Sequence, residues 1–387
     1  MNLVTPPSVP GGMPGSGTQD ATQDLRKTGL HPDFWYPIAR SKDVKRGKVI
    51  GVRFAGDPIA IVRREDGSCF ALEDRCAHRQ VPLHAGVVCE KGLRCGYHGW
   101  TYDETGRCIS VPYLGKGKKR PNGVRCYPCR EAYGLIFIFP GDIAKAETTA
   151  FPNIPSHGNP KYKTRYLDRR VDCHYSFMHE NLMDMNHQFL HRRLMGGIKT
   201  VFLGQREGEG WVEADYTFGR TSGKQSFGEW FIIRKKDSQK GRERRDHMTI
   251  RTEYPYQTLR FWTAGSDEPA LDLWNVYIPV DKEQRVNHTF GMIMVQKPPI
   301  PGLIHLLWPF ITWFTEGIFR EDREIVELEQ KAFDAQGSDW NQEIFPVILK
   351  LRDVLRDGGL PLSQDLPPAS PSPASPPPGP CPGSSAD

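Results

Sequence analysis

Two short stretches of this 387-residue chain each pair a cysteine with a histidine: Cys76-Ala77-His78 and, sixteen residues on, Cys95-Gly96-Tyr97-His98. Two thiolates and two imidazoles suit either a tetrahedral zinc ion or a two-iron, two-sulfide cluster in which one iron keeps sulfur ligands and the other takes nitrogen. Zinc fingers usually pair Cys with Cys and His with His. Here each loop supplies one of each, which favours the cluster, with Cys76 and Cys95 on one iron and His78 and His98 on the other. Imidazole is neutral where thiolate is anionic, so such a cluster reduces more easily than an all-cysteine one. Gly96, Gly99 and Pro82 suit tight loops that turn backbone N–H groups towards sulfide.

A second constellation lies in His179-Glu180-Asn181-Leu182-Met183-Asp184-Met185-Asn186-His187-Gln188-Phe189-Leu190-His191. His187 and His191 are four apart and Asp184 is three before His187, so on one continuous helix all three share a face. A lone core histidine is usually just a satisfied polar group, but two histidines and an aspartate on one stripe can hold a metal. A zinc-protease helix would place a glutamate after the first histidine as general base, and Gln188 removes that mechanism. Two histidines and a carboxylate on iron leave positions open for dioxygen. The carboxylate must then come from elsewhere. Phe319–Gln330 is acidic, yet on charge pattern alone it reads as a solvated helix face.

The run Cys76-x-His78, sixteen residues, Cys95-x2-His98, then Gly99-Trp100-x-Tyr102-x3-Gly106, resembles the Rieske domain of Rieske non-haem iron oxygenases. Asn181-x2-Asp184-x2-His187 is similar to a motif of their catalytic domain, although that family more often places four residues between its iron histidines, against three here. The resemblance covers about residues 34 to 340. It implies a terminal oxygenase component with a [2Fe-2S] cluster and mononuclear Fe(II), supplied with electrons by a separate reductase or ferredoxin. It makes Asp322 the third iron ligand beside His187 and His191, with Glu321 or Glu324 as the fallback. It also makes Asp184 an electron bridge to His98 of the partner subunit in a head-to-tail homotrimer, with Asn181 in the same motif. The implied reaction uses O2 to hydroxylate or oxidatively demethylate a hydrophobic, aromatic or polycyclic substrate, with monooxygenation preferred to dioxygenation. The competing class is a non-catalytic Rieske electron carrier fused to a hydrophobic-ligand-binding domain. A complete set of His187, His191 and Asp322 separates the two.

The frame expected around these residues is α+β: a small all-β domain, then a helix-grip domain whose curved antiparallel sheet wraps a long helix and encloses a cavity. The length suits two domains. Pro- and Ser-rich ends read as solvated tails over 1–33 and 357–387, leaving 34–145 for the cluster domain and 150–356 for the catalytic one. In the first, strands are expected at Val49–Phe54, Pro58–Arg64, Cys69–Glu73 and Gly134–Phe139, with Asp66-Gly67 as a hairpin turn. In the second they are expected at Tyr162–Val171, Ser226–Lys235, His247–Thr263, Leu271–Val280 and His288–Val295. Helices are expected over His174–Met195, Ile311–Phe333 and Asn341–Arg356.

A net charge of +5 is too mild to argue for nucleic acid. Nine cysteines without a secretory leader favour a reducing, cytoplasmic setting. Cys126-Tyr127-Pro128-Cys129 has redox spacing but no βαβ context, so plain thiols are expected there. Lys116, Lys118, Lys119, Arg120 and Arg125 could steer an acidic ferredoxin. Tyr254, Tyr256, Phe261, Trp262, Trp274 and Tyr277 could line an apolar pocket, though core packing is the commoner use of such residues. The apolar stretch from Gly302 to Phe319 is interrupted by His305, Pro309 and Glu316, which makes it a buried or membrane-touching helix rather than a spanning one.

Overall fold

A computed structural model describes residues 24–115, 117–220 and 246–362. The first domain is built from short antiparallel strands in three small sheets. One sheet runs in the order Cys126–Tyr127, Cys69–Glu73, Asp57–Arg63, Lys48–Phe54, and a second in the order Cys129–Ala132, Leu135–Ile138, Tyr36–Arg40. The Asp57–Arg63 strand shows why its run is apolar throughout. Side chains alternate across a strand, and here Ile59 and Ile61 enter the large core while Ala60 and Val62 enter a separate core beneath the cluster loops. The expected hairpin closes at Asp66-Gly67, where Arg64 and Ser68 pair through the backbone and Asp66 Oδ1 accepts from the Ser68 amide.

Among the described residues the second domain is built on a seven-stranded antiparallel sheet. Its order is Tyr162–Val171, Asn287–Gln296, Leu271–Pro279, Tyr256–Trp262, His247–Glu253, Trp211–Arg220, Ile198–Gly208. The single strand expected over His247–Thr263 is two strands, folded back at Tyr254-Pro255. The last two strands of the order had no expectation: the edge strand Ile198–Gly208 is mostly exposed and carries no apolar alternation, whereas Trp211–Arg220 does alternate, burying Val212, Ala214 and Tyr216. The candidate at Ser226–Lys235 lies outside the described residues.

Among the described residues this domain carries four helices: α1 (Tyr175–Met183), α2 (Arg192–Met195), α3 (Leu303–Gln336) and α4 (Pro346–Gly358). The apolar stretch after Gly302 is thus the first half of α3. α4 starts later than expected, with Pro346 in its first turn, where the missing N–H costs nothing. It buries Val347, Ile348, Leu351, Val354 and Leu355 along one face. The two domains share one core. Phe137 and Trp274 belong to it, and Ala55 and Gly56 donate backbone N–H bonds to Pro279 and Val280.

Residues 24–33 and 357–362, which composition assigned to the tails, are built into the fold. Leu25, Arg26 and Leu30 are buried, and Thr28–Gly29 pairs with Leu360–Pro361. The Arg26 guanidinium lies 3.6 Å over the Phe177 ring and pairs with Glu180, which also holds Arg352. Each buried charge is matched by another from a distant part of the chain, which no local composition reveals.

Glu329 of α3 adjoins this network. Burial pushes its carboxyl up to about 7, reinforced by Glu180 and Asp339 and opposed by Arg26 and Arg352. The folded state therefore holds the proton more tightly than the unfolded chain, so stability falls as pH rises from the ordinary glutamate range through about 7. Glu329→Gln is expected to flatten that fall, with a gain at pH 8 of at most about 3 kcal/mol. Denaturant unfolding at pH 5 and pH 8 checks this; parallel losses in both proteins would refute it.

Candidate functional site

The first ligand loop follows the Cys69–Glu73 strand, and the second joins Gly92–Arg94 to Thr101–Tyr102. Cys76 and Cys95 are buried, and their thiols lie within hydrogen-bonding reach of one another. The His78 and His98 rings are 4.6 Å apart, edge to face. Gly99, at φ +71°, turns the second loop back so that its amide reaches the Cys95 carbonyl. The Tyr97 and His98 amides point at the Cys95 sulfur, as sulfide-facing loops require. Two neighbours carried no expected role. The Tyr102 hydroxyl sits 3.2 Å from Cys76 Sγ, and Trp100 stacks on His78 at 4.8 Å. His78 Nδ1 is buried without a hydrogen-bond partner, and a soft two-sulfur, two-nitrogen donor set around such an atom fits a [2Fe-2S] cluster. His84 is tied to Asp74 and faces away from ligand duty.

The continuous helix expected over His174–Met195 is broken. α1 ends at Asp184, whose backbone is extended at φ −90°, ψ 90° and whose Oδ1 accepts from the Asn186 amide. A short 3-10 turn, Met185–Phe189, follows before α2. Aspartate competes locally for backbone N–H groups and so ends one helix while capping the next turn. Asp184 therefore does not share a face with the two histidines, contrary to expectation; its carbonyl, not its carboxylate, accepts from His187 Nδ1. Strands that went unrecognised pin this irregular segment. The Tyr216 hydroxyl donates to the Met183 carbonyl at 2.8 Å, and the Thr200 amide to Gln188 Oε1 at 2.6 Å.

His187, His191 and Asp322 offer ligand atoms that all lie within 4.8 Å of one another. Asp322 Oδ1 faces His191 Nε2 at 3.2 Å and His187 Nε2 at 3.8 Å, and is buried with no hydrogen bond of its own. Each imidazole is held through its other nitrogen. His191 Nδ1 donates to Glu321 Oε2 at 3.0 Å, leaving both Nε2 atoms directed at the Asp322 carboxylate. Such outer contacts set the tautomer that a metal needs. An orphaned buried carboxylate oxygen beside two imidazole nitrogens fits a divalent transition metal. Burial pushes the His187 imidazole down against the pull of Asp322, while Asp322 and Glu321 outweigh burial and hold His191 up. Glu321 thus positions a histidine, and Glu324 is exposed, so neither fallback joins the group. Gly317 lets α2 approach α3, since a Cβ there would stand 2.8 Å from Leu194 Cδ1. Asn181 lines a small cavity of about 40 Å³ with Asp322, Asn275 and Tyr277. His179 stays outside the group, and burial pushes it down to about 3.

Between the sheet and the first half of α3 lies a cavity of about 270 Å³, lined by Met195, Phe218, Phe261, Leu271, Phe310 and Phe314 among others, with Thr263 and Gln296 among its few polar groups. Met195 is four residues after His191. Thr315, also on the wall, is two helical turns before Asp322, roughly 10 Å along the axis. Of the six expected aromatics only Phe261 is on this wall. Tyr277 lines the small cavity instead, Trp262 stacks on His247, and Tyr254, Tyr256 and Trp274 pack in or against the shared core. Among the basic residues suggested for ferredoxin steering, Arg120 and Arg125 are tied to backbone carbonyls, Lys118 and Lys119 are exposed, and Lys116 lies outside the described residues.

Two families match this chain: the Rieske [2Fe-2S] domain over residues 34–128, and the vanillate O-demethylase oxygenase C-terminal domain over residues 171–350. The 4beta-methylsterol monooxygenase of Methylococcus capsulatus is 30% identical over 366 residues, which cover 91% of this chain and 95% of that protein. The oxygenase component of dicamba O-demethylase from Stenotrophomonas maltophilia is 36% identical over 159 residues, 41% of this chain and 47% of that one. Among solved structures, dicamba monooxygenase bound to 3,6-dichlorosalicylic acid superposes with a TM-score of 0.68 at 23% identity, covering 85% of this chain and 98% of the other, a likeness of fold.

Proposed function

The chain belongs to the Rieske non-haem iron oxygenases, and from that membership we propose that it oxidises a methyl carbon on a rigid, apolar, polycyclic molecule of the methylsterol kind. It is the terminal oxygenase component of a multicomponent system, a monooxygenase that takes electrons from a separate donor and uses O2 on a hydrophobic substrate. The reading as a non-catalytic carrier falls away with that membership.

Cys76, Cys95, His78 and His98 would hold the cluster, and His187, His191 and Asp322 the mononuclear iron. Bound there, these groups supply one-electron transfer and the activation of dioxygen. The protein's own residues do the rest. Glu321 and the Asp184 carbonyl keep both imidazole Nε2 atoms turned inward. Phe218, Phe261, Phe310 and Phe314 exclude water and hold the flat faces of the substrate, so that one end of it lies by Met195 and Phe314, nearest the three ligands. Gln296 and Thr263, among the polar groups of the wall, can hydrogen-bond an oxygen of the substrate. We assign Asp184 the bridge to His98 of the partner subunit, in a head-to-tail homotrimer.

The apolar cavity beside the His187, His191 and Asp322 group carries this reading. Its test is turnover of the iron-replete protein with a reductase and 18O2 on 4-methylsterols and on methoxybenzoates. One 18O atom in a hydroxymethyl sterol is expected. Oxidation of the methoxybenzoates alone would overturn the substrate class while leaving the oxygenase in place.

A further inference from the structure

We propose that the outer face of the first half of α3 docks on an anionic lipid bilayer, so that the lip of the apolar cavity meets the membrane. This rests on the substrate reading for its purpose, since a polycyclic apolar substrate resides in lipid, but not for its occurrence.

α3 is apolar on two sides over this stretch. Ile304, Leu307, Ile311 and Phe314 face the sheet and line the cavity. Leu306 and Trp313, seven residues apart and therefore on one stripe, turn outward and are 77% and 61% exposed. Ile300, just before the helix, is 62% exposed and follows Pro299 of the cavity wall. Single exposed apolar residues are ordinary, but Leu306 and Trp313 share one stripe of the helix that walls the cavity, and Ile300 adjoins its start. A shallow groove runs along the same helix over Trp308, Pro309, Trp313 and Gly317 and reaches Arg320 at its far end.

Cations frame that face. Lys163 Nζ stands 4.4 Å over the Trp308 ring and 2.9 Å from His305 Nδ1. Lys297 is exposed on the cavity lip, and Arg320 is exposed at the end of the groove. The carboxylate of the groove, Glu316, is neutralised by Arg165 and Arg169. Indole rings with basic side chains beside them are what the headgroup layer accommodates: the rings sit at the interface and the cations reach the phosphates. The helix would lie in the plane of the surface. None of the described helices is long and apolar enough to cross a membrane. Charge selects the occupant. A second copy meeting this face with its own would set like cations against one another, whereas anionic headgroups complement them.

The test is flotation of the iron-replete full chain with phosphatidylcholine vesicles, with and without phosphatidylglycerol. Anionic vesicles are expected to carry up the protein, and neutral vesicles or high salt to reduce recovery by about tenfold or more. Leu306→Glu combined with Trp313→Glu should lose flotation by at least about tenfold, while the cluster spectrum and the oxidation of cyclodextrin-delivered substrate stay unchanged. The milder Leu306→Ser should fall between the two and serves if the double variant folds poorly. Wild-type protein that floats with neither vesicle, or a double variant that floats like wild type, would overturn the proposal. So would a variant of lower oligomeric mass, which would make this face a subunit contact. Flotation needs no turnover, so failure on 4-methylsterols and failure to dock are separate results.

Discussion

Asp322→Ala is expected to remove one iron per chain, leave the cluster's absorption and EPR signals in place, and lower substrate oxidation by at least about 10³-fold. The reason is geometric. Asp322 Oδ1 faces both imidazole Nε2 atoms, and neither histidine has another carboxylate at that nitrogen. Glu321 cannot substitute, because it already accepts from His191 Nδ1 on the far side of the ring. The same measurement on Glu324→Ala, which alters an exposed carboxylate outside this group, should give wild-type iron content and rate. If Asp322→Ala kept its full iron and activity, the assignment of these three residues to the mononuclear iron would fail.

Asp184→Asn should slow turnover by about 10- to 100-fold, the range over which residues adjoining a metal centre act, with both metal contents unchanged. Asparagine keeps an oxygen to accept from the Asn186 amide and leaves the backbone carbonyl that holds His187, so the local fold and the imidazole orientation survive. What is lost is a negative charge and an acceptor on a partly exposed side chain. Rapid mixing of the reduced protein with O2 and substrate isolates the step: reoxidation of the cluster should slow in the variant. Wild-type reoxidation would remove Asp184 from the electron path. Analytical ultracentrifugation of both proteins keeps that conclusion separate from loss of assembly.

The local motifs were legible because each ligand type is chemically marked and close in sequence to its partners. Two Cys-and-His loops, two histidines four apart and the strands at Tyr162–Val171 and Cys69–Glu73 could all be read without a fold. Asp322 could not. It stands among four other acidic residues between Phe319 and Gln330, and only family resemblance raised it above them. The helix read through Asp184 was wrong in a specific way: periodicity cannot see that an aspartate side chain will cap the next turn instead of continuing the last. The histidines came together regardless, because Tyr216 and Thr200, from two strands that carried no expectation, hold the broken segment in place.

Residue type and spacing by themselves marked the candidate cluster ligands, the histidine pair and the α+β frame. Tertiary structure alone decided which residues wall the cavity and that residues 24–33 are anchored by buried ion pairs, and it brought Asp322, which only the resemblance had singled out, to the imidazoles. The physical reason is range. Ligand chemistry and strand alternation act over a few residues, whereas Asp322 reaches His191 from 131 positions away in the chain, through the packing of Gly317 against Leu194.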